Sequence, residues 1–412
     1  MSRSPALAAV AYSVETAFGE NISTFGTRMS VLDSVSLSGF KQTKLKPARA
    51  APYRNQIFPN INGTKRGEFK TKFYLPGHGS TCAGAVTLTD RETLLGIVFG
   101  RGAADVAAAC ATAGTTAAAG GTATSLNVAL ASGYTAGTIV RAGLLGDGRG
   151  NGQPLVITTH GTSVIGLQTA LAAALTAGDV VYNPVNVNVT ENPALNTITS
   201  TRWLLQTANQ QIEAHGCYPK AVAIEAGTSK LPTIEITWGC AWWDFANISF
   251  PPSAGMQVFT PAPTAGGSFF FQLAGTTTRQ LLSVRDFKLT YNMVVVELMG
   301  PGGTKAVQDI VGCYRGRDTC DVEFTLDAEA ASLTPTLAGY WDGNGVYQLL
   351  YGLSATDGSA VSLYLPNLVP DGDRPTQQDM DGLNRVTLKL NAGTSGVTTS
   401  EVALSMFRLA MG

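Results

Sequence analysis

The side chains that could carry out chemistry are few and scattered in this chain of 412 residues. Its three histidines, His78, His160 and His215, are each followed by a glycine, a pair that favours a turn. None of them is spaced from another histidine or from a carboxylate in the way that zinc ligands are spaced. We therefore expect histidines that form hydrogen bonds or face solvent, not metal ligands.

Motifs for nucleophilic and phosphate chemistry are also missing. There is no Gly-x-Ser-x-Gly, so a hydrolase nucleophile elbow is not indicated. The glycine-rich stretch 143–152 (GLLGDGRGNG) lacks the Lys-Ser/Thr ending of a phosphate-binding loop. The stretches 342–345 (DGNG) and 371–374 (DGDR) lack the glutamate of a calcium loop. The sequence thus predicts no catalytic, cofactor-binding or metal-binding residue, no cofactor and no enzymatic activity.

Three tryptophans, Trp238, Trp242 and Trp243, lie close together in a stretch of strand-like alternation. Aromatic side chains are common in cores and in interfaces, and either place would explain them. The alternative is a platform on which a carbohydrate stacks. A glycosidase would also need a pair of carboxylates, and no convincing pair stands out.

The six cysteines show neither Cys-x-x-Cys nor zinc spacing. Scattered buried thiols in a protein made in a reducing cytoplasm explain this pattern. Cys313 and Cys320 could face each other across a hairpin, so a disulfide between them is an open alternative.

Composition limits the class of protein. Only 14% of the residues are charged, against about 25% in a typical domain, and glycine is abundant, with 46 residues. This combination is typical of a β-rich protein that buries surface against copies of itself. No run approaches the roughly 18 apolar residues that span a bilayer, and the N-terminal apolar run is too short for a secretory signal.

Charge is distributed unevenly along the chain. Residues 1–72 carry a net charge of +7 and the remainder a net charge of −8. A basic arm on an acidic body could bind nucleic acid or the acidic face of a neighbouring copy. Aromatic residues in the basic part are too sparse for a base-stacking platform, which favours the protein–protein interpretation.

Residues 68–100 predict a unit made of a strand, a turn and a short helix, the central element of the expected fold. Apolar and polar side chains alternate over 69–74, which predicts a strand with one buried face. After a glycine-rich turn, Thr89 and Glu92 form the Thr-x-x-Glu pattern of a capping box, and Gly100 marks the end of a short amphipathic helix.

The same unit recurs in the second half of the chain. Residues 321–326 (DVEFTL) alternate like a strand, and 345–353 (GVYQLLYGL) form a second short amphipathic stretch. Proline-rich residues 246–280 separate the two copies. Residues 284–300 and 304–311 predict a hairpin around Gly300 that is exposed enough to be a subunit contact.

Residues 126–183 read as a small module inserted in the first copy. Alternation and turn signals predict five strands. A helical period over 167–175 competes with them, and we interpret it as a loop. The preceding residues 101–125, nearly all Ala, Gly and Thr, indicate a linker with a possible helical start at 103–111.

Four segments carry a resemblance to a known family. They are ETAFG at 15–19, LLGIVFG at 94–100, the hairpin around Gly300, and the alternating VALSMFRLA at 402–410. On these segments the chain, apart from its insertion, is similar to tail tube proteins of long-tailed bacteriophages (the siphophage-type major tail proteins).

The resemblance implies a mainly β fold. It comprises two tandem tail-tube-type β-sandwich or barrel units, each with a short flanking helix, plus the inserted small β-barrel module. The expected boundaries are 1–32 for an extended N-terminal arm, 33–122 and 186–248 for a discontinuous first unit, 123–185 for the insertion, and 249–412 for the second unit.

The resemblance also implies a function without catalytic residues. Such subunits join their sheets into a β-barrel ring, and the rings stack into a tube whose hollow, acidic bore conducts DNA from capsid to host without binding it specifically. Two units in one chain imply a trimeric, pseudo-hexameric ring, with a hexamer as the alternative. Expected partners are tape measure, terminator and distal tail proteins, not a membrane, and the expected location is the virion tail, after synthesis in the host bacterial cytoplasm.

Two other functions stay open from the sequence. One is another virion structural protein, such as a head decoration or tail terminator subunit. The other is a carbohydrate-binding β-protein that uses the tryptophans.

Overall fold

The fold was analysed in a computed structural model of the chain. The structure describes residues 9–19, 24–26, 28–32, 35, 38–45, 61–75, 77–79, 88–99, 115–129, 134–143, 153–189, 198–206, 210–228, 230–246, 248–251, 268–274, 282–300, 310–327, 345–354, 358–372, 377–380, 383–394 and 405–412.

These residues form 24 strands and one α-helix. The first part of the chain contributes β1 (Ala9–Val14), β2 (Arg28–Ser30), β3 (Lys41–Leu45), β4 (Ile61–Tyr74) and α1 (Asp90–Val98). Next come β5 (Thr115–Thr116), β6 (Ser125–Asn127), β7 (Ile139–Ala142), β8 (Pro154–His160), β9 (Val164–Leu167), β10 (Val180–Tyr182), β11 (Val185–Asn188), β12 (Thr201–Gln206), β13 (Gln211–Gly227) and β14 (Lys230–Phe245). The remainder contributes β15 (Ser268–Leu273), β16 (Val284–Asn292), β17 (Val295–Met299), β18 (Ile310–Arg315), β19 (Thr319–Asp327), β20 (Tyr347–Ser354), β21 (Val361–Pro370), β22 (Gln377–Met380), β23 (Leu383–Gly393) and β24 (Arg408–Met411).

The fold is therefore mainly β with antiparallel pairing, as predicted. Helix α1 also begins where the capping box predicts. Thr89 is the N-cap, and its amide donates a hydrogen bond to Oε2 of Glu92 at 2.6 Å. The helix ends at Val98, while the predicted stop residue, Gly100, lies outside the described residues.

The second predicted helix, at 345–353, is wrong. The segment forms strand β20, which pairs with β15 on one side and β21 on the other. All eight residues of β20 are buried. A strand covered on both faces gives a continuous apolar run, and at this length such a run cannot be told from a buried helix by periodicity. The flanking helix expected at 345–353 in the second unit is therefore not formed.

The main sheet contains a row of long neighbouring strands in the order β3-β4-β14-β13-β16-β19-β23. Strand β22 extends this row, because Arg385 and Val386 of β23 pair with β19 and also with β22, which must lie on the opposite side. Strand β21 pairs with the other end of β23 and leads into a second layer.

The second layer lies across the core from this row. Its strands run in the order β11-β24-β21-β20-β15 in one half, and β12, β1 and β2 cover the other half. Aromatic rings meet between the layers, with centroids 5.0 Å apart for Phe269 and Phe324 and 4.9 Å apart for Trp203 and Trp238. Helix α1 joins the same continuous core, next to Phe99 and Phe407.

Part of the predicted N-terminal arm, 1–32, belongs to this second layer. Strand β1 pairs with β12 over its whole length and with β2 over three residues. Val10 and Met29 are fully buried. These strands have no core of their own and instead complete the core of the body.

Strands β5 to β10 form a separate six-stranded sheet in the order β5-β10-β7-β8-β9-β6. It contains the five strands predicted between 126 and 183, and it begins at Thr115, before the expected boundary at 123. Its own core includes Leu126, Leu155 and Ile165. The predicted helical start at 103–111 lies outside the described residues.

Ile139 and Val156 attach this six-stranded sheet to the second layer. They pack against Phe270, Leu350 and Tyr364. No helix in the described part of the chain is long and apolar enough to cross a membrane.

Candidate functional site

His78 is buried and holds the loop after β4 against α1. Its Nδ1 lies 3.1 Å from Oε1 of Glu92, and Arg91 donates to its backbone carbonyl at 3.1 Å. Burial raises the pKa of Glu92, but hydrogen bonds from His78 and Thr89 outweigh burial and leave this pKa below its usual value. The cluster is fully packed and ties two elements together.

His215 lies within β13, not in a turn, and is also buried. Its ring stacks on Trp242 with centroids 3.5 Å apart, and its Nε2 lies 3.3 Å from Glu213, which also pairs with Arg202. Trp242 and its neighbours Trp238 and Trp243 are all buried, as a core role predicts.

His160 is exposed at the end of β8, far along the chain from these two clusters. Within the described residues, no group of three or more His, Cys, Asp and Glu side chains could hold a metal ion. The histidines are therefore not brought together into one site.

The cysteines contribute no disulfide among the described residues. Cys313 and Cys320 do not form a disulfide: Cys313 lies opposite Glu297 in β17 and Cys320 lies opposite Tyr291 in β16. Cys217 lies directly opposite Cys240, also free, and burial raises the pKa of the Cys217 thiol well above its ordinary range.

The outer face of the long strands is a polar surface. Successive side chains of a strand point to opposite faces of the sheet. Buried and exposed side chains therefore form alternating rows across these strands. One buried row consists of Phe73, Ile234, Ile224, Leu289, Val322 and Leu390. The next row places Glu225, Lys288, Glu323 and Lys389 directly opposite one another on β13, β16, β19 and β23. Charges of opposite sign thus alternate from strand to strand.

We call this surface the charged face. Its exposed or half-exposed charged residues include four lysines and seven carboxylates: Lys70, Lys72, Lys288, Lys389, Glu68, Glu225, Glu235, Asp286, Asp321, Glu323 and Asp327. Lys70 bonds Glu235 at 2.7 Å, and Lys288 lies 3.8 Å from Glu225. Exposed pairs of this kind contribute about 0–1 kcal/mol each, so they set the charge pattern more than the stability.

A second surface is the two-stranded ribbon formed by β17 and β18. Its inner face packs on the body, where Ile310 and Cys313 join Tyr218 and Trp242. Its outer face is apolar and exposed, with large side chains at Val294, Val296, Leu298 and Tyr314. The sequence predicts a hairpin of 284–300 with 304–311 around Gly300. Only 295–299 of its first strand pairs here, with 310–315, because 284–292 form β16 of the main sheet, and 301–309 lie outside the described residues.

Two polar clusters fix the ribbon in place. Glu297 accepts hydrogen bonds from Tyr218 and from Arg66, the latter at 3.2 Å. At the base of the ribbon, Asp318 accepts from Arg315 at 2.5 Å and from the amide of Val294 at 3.2 Å. The ribbon is thus held at the middle of β17 and just before its first residue.

The ETAFG segment at 15–19 forms a buried anchor. The carboxylate of Glu15 accepts from the amides of Gly19 and Gly216, each at 2.9 Å, and from Ser200 at 2.6 Å. Phe18 packs on Gly216, where a Cβ would lie 3.0 Å from the ring. Burial raises the pKa of Glu15, and these bonds only partly offset the rise.

Sequence reasoning missed Glu15, Arg202 and Asp318 as structural groups. The ETAFG pattern at 15–19 can be seen in the sequence. The partners of Glu15, however, lie at 200 and 216, and no local spacing points to them. Comparison of the chain with models of known protein families and with curated proteins finds no match.

Proposed function

We propose that this chain is a structural subunit of a bacteriophage tail tube, and that rings of it stack into a hollow conduit for DNA. The observation that carries the proposal is the row of long strands with one exposed charged face. Strands β3, β4, β14 and β13 come from the first expected unit, and β16, β19, β23 and β22 come from the second. Two sets of four neighbouring strands fit a tandem pair of tube units.

The two sets join directly through β13 and β16, which pair over seven residues. In the described part of the chain, the outer strands β3 and β22 each pair with one neighbour only. An open sheet with two unpaired edges is a template for pairing with another chain. Closing the sheet with further copies satisfies both edges, and three copies give a pseudo-six-fold ring.

The charged face would line the bore of such a ring. It carries charges of both signs with no excess of Lys and Arg, which suits a surface that lets DNA slide past, because phosphate binding needs such an excess. The expected acidic bore stays a prediction, since the described residues of this face carry both signs.

Electron microscopy of the purified full-length protein tests the proposal. Stacked rings with three-fold or pseudo-six-fold symmetry are expected. To test ring closure, cysteines are introduced in β3 (Gln42→Cys) and in β22 (Gln378→Cys), and a flexible bis-maleimide is added. The double variant should give a covalent ladder that ends at the trimer.

The control pairs Gln378→Cys with Val164→Cys, which lies on β9 of the six-stranded sheet and should not cross-link into closed rings. A monodisperse monomer at high concentration, with no ladder from the double variant, would exclude the tube function. Rings that never stack would instead favour a tail terminator or head decoration subunit.

A further inference from the structure

Two buried cysteines face each other across neighbouring long strands. Cys217 of β13 lies directly opposite Cys240 of β14, and both are free. Directly opposite residues of antiparallel strands have Cα atoms about 4.5–5.5 Å apart, and a disulfide joins cysteines whose Cα atoms are about 4.4–6.8 Å apart. The strand register therefore places the two cysteines within reach of a disulfide without a large movement of the backbone.

The two side chains also lie on the same face of the sheet. Both belong to the core between the layers, and their thiols are within hydrogen-bonding distance of each other. Gly67 of β4 makes room for this arrangement, because a Cβ there would lie 2.7 Å from Sγ of Cys240. The two sulfur atoms are thus held close together by the packing around them.

The strand register gives the other two described cysteines no such neighbour. Cys313 lies opposite Glu297, and Cys320 lies opposite Tyr291 on one side and Ala392 on the other. Within the part of the chain that the structure describes, Cys217 and Cys240 are therefore the one pair of cysteines that strand pairing places directly opposite each other.

We propose that Cys217 and Cys240 form a site of reversible oxidation, at which a two-electron thiol oxidant converts the pair into a cross-strand disulfide. Diamide, which carries an N=N bond, is such an oxidant. One sulfur loses its proton and adds to a nitrogen of the N=N bond. The second sulfur, also deprotonated, attacks the first sulfur and breaks the new sulfur–nitrogen bond. An S–S bond forms, and the two electrons and two protons of the thiols end on the hydrazine product.

Burial affects the rate of this reaction. It raises the pKa of the Cys217 thiol well above its ordinary range, and the thiolate is the reactive form. Oxidation of the folded chain should therefore be slow. A chain that refolds in the presence of an oxidant meets it before the thiols are buried, so both routes should lead to the same disulfide.

The test uses the full-length chain and both routes. Folded protein is treated with diamide, and urea-unfolded protein is refolded in a mixture of oxidised and reduced glutathione, each until the extent of reaction is constant. Remaining thiols are alkylated, and tryptic peptides are identified by mass spectrometry. Because Lys220 and Lys230 lie between the two cysteines in the sequence, trypsin separates Cys217 from Cys240 unless a disulfide joins them. We expect the joined peptide by both routes and its loss on treatment with dithiothreitol.

Substitutions assign the disulfide. Cys217→Ala or Cys240→Ala should abolish the joined peptide and leave the remaining partner alkylated. The matched control Cys313→Ala should give the joined peptide in the same yield as the parent.

Alkylation of both Cys217 and Cys240 in the parent after both treatments would overturn the inference, as would disulfides that link either of them to a different cysteine. The parent chain decides this outcome, so a folding defect in a variant does not affect it. The inference is independent of the proposed tube function, because it concerns two strands of one chain.

Discussion

At the scale of single residues, Glu92 has two roles, and only one of them can be predicted from the sequence. Its capping of α1 follows from the Thr-x-x-Glu spacing, and the structure confirms it. Its bond to His78 depends on the loop after β4 folding back onto the helix. The buried carboxylate thus fixes the helix start and the loop together.

Replacing this carboxylate should have an effect that depends on pH. The pKa of Glu92 is lower in the folded chain than in the unfolded chain, so its contribution is present above its usual pKa and is lost as pH falls through the folded value. Glu92→Gln should reduce the free energy of unfolding by about 1–3 kcal/mol at pH 7, and the difference should shrink at pH 3. Urea unfolding at both pH values measures this.

Glu225→Gln on the charged face is the matched control, and it should change stability little at either pH. An equal loss at pH 7 and pH 3 for Glu92→Gln would show that its charge is not what stabilises the cluster.

Other residue-scale features could not be predicted from spacing. The ETAFG pattern at 15–19 served only as a resemblance, because Glu15 finds its partners at Ser200 and Gly216 through the fold. His215 was expected in a turn because a glycine follows it. That glycine instead lies within β13 with φ of 56°, where its missing Cβ makes room for Phe18.

At the scale of elements, the six-stranded sheet is attached by one buried cation as well as by apolar contacts. Arg408 of β24 donates to the carbonyl of Gly137 and lies 5.2 Å from the ring of Tyr364. Burial lowers the pKa of Arg408 to about 10, and Tyr364 partly opposes this shift. Asn186 adds a second link, because its Oδ1 accepts from the amide of Ile139 at 2.9 Å.

Arg408→Met should loosen this attachment without unfolding either sheet. The Gly137 carbonyl would lose a charged donor, which costs about 1–3 kcal/mol. We expect faster amide hydrogen exchange at Ile139, with unchanged protection of Leu126 and Ile165 inside the six-stranded core. Mass spectrometry or nuclear magnetic resonance can follow these amides.

Ser13→Ala, whose hydroxyl bonds the carbonyl of Thr24 at an exposed site, is a control that should leave exchange at Ile139 unchanged. Equal loosening throughout the six-stranded sheet would show that Arg408 supports its folding instead of its attachment.

Strands with one exposed face were predictable at this scale, and strands buried on both faces were not. Residues 69–74 and 321–326 alternate because one side meets the core and the other meets solvent. Strand β20 has no exposed side, so its residues carry no alternation to read. The five strands of the insertion could be predicted because turn-forming residues separate them.

At the scale of the whole molecule, the sequence indicates two related halves but not how they meet. Alternation sets which face of each strand is buried, yet it contains no information on which strand lies beside which. The pairing of β13 with β16 joins the halves edge to edge and makes one continuous core. This pairing turns two candidate units into one open sheet with a single charged face.

If that face lines a bore, its accessibility must change on assembly. Lys288 lies near the middle of the face with a side chain 55% exposed, and Lys288→Cys should react with a small maleimide in monomers and in tubes. A maleimide carried on a large polyethylene glycol should label monomers but not tubes, since the polymer cannot enter the bore. Val164→Cys should take both reagents in both states, because the six-stranded sheet packs on the second layer, across the core from the charged face. Labelling measured on the unsubstituted chain is subtracted to correct for the native thiols. Full labelling of Lys288→Cys by the polymer-linked maleimide in intact tubes would place the charged face on the outside of the tube.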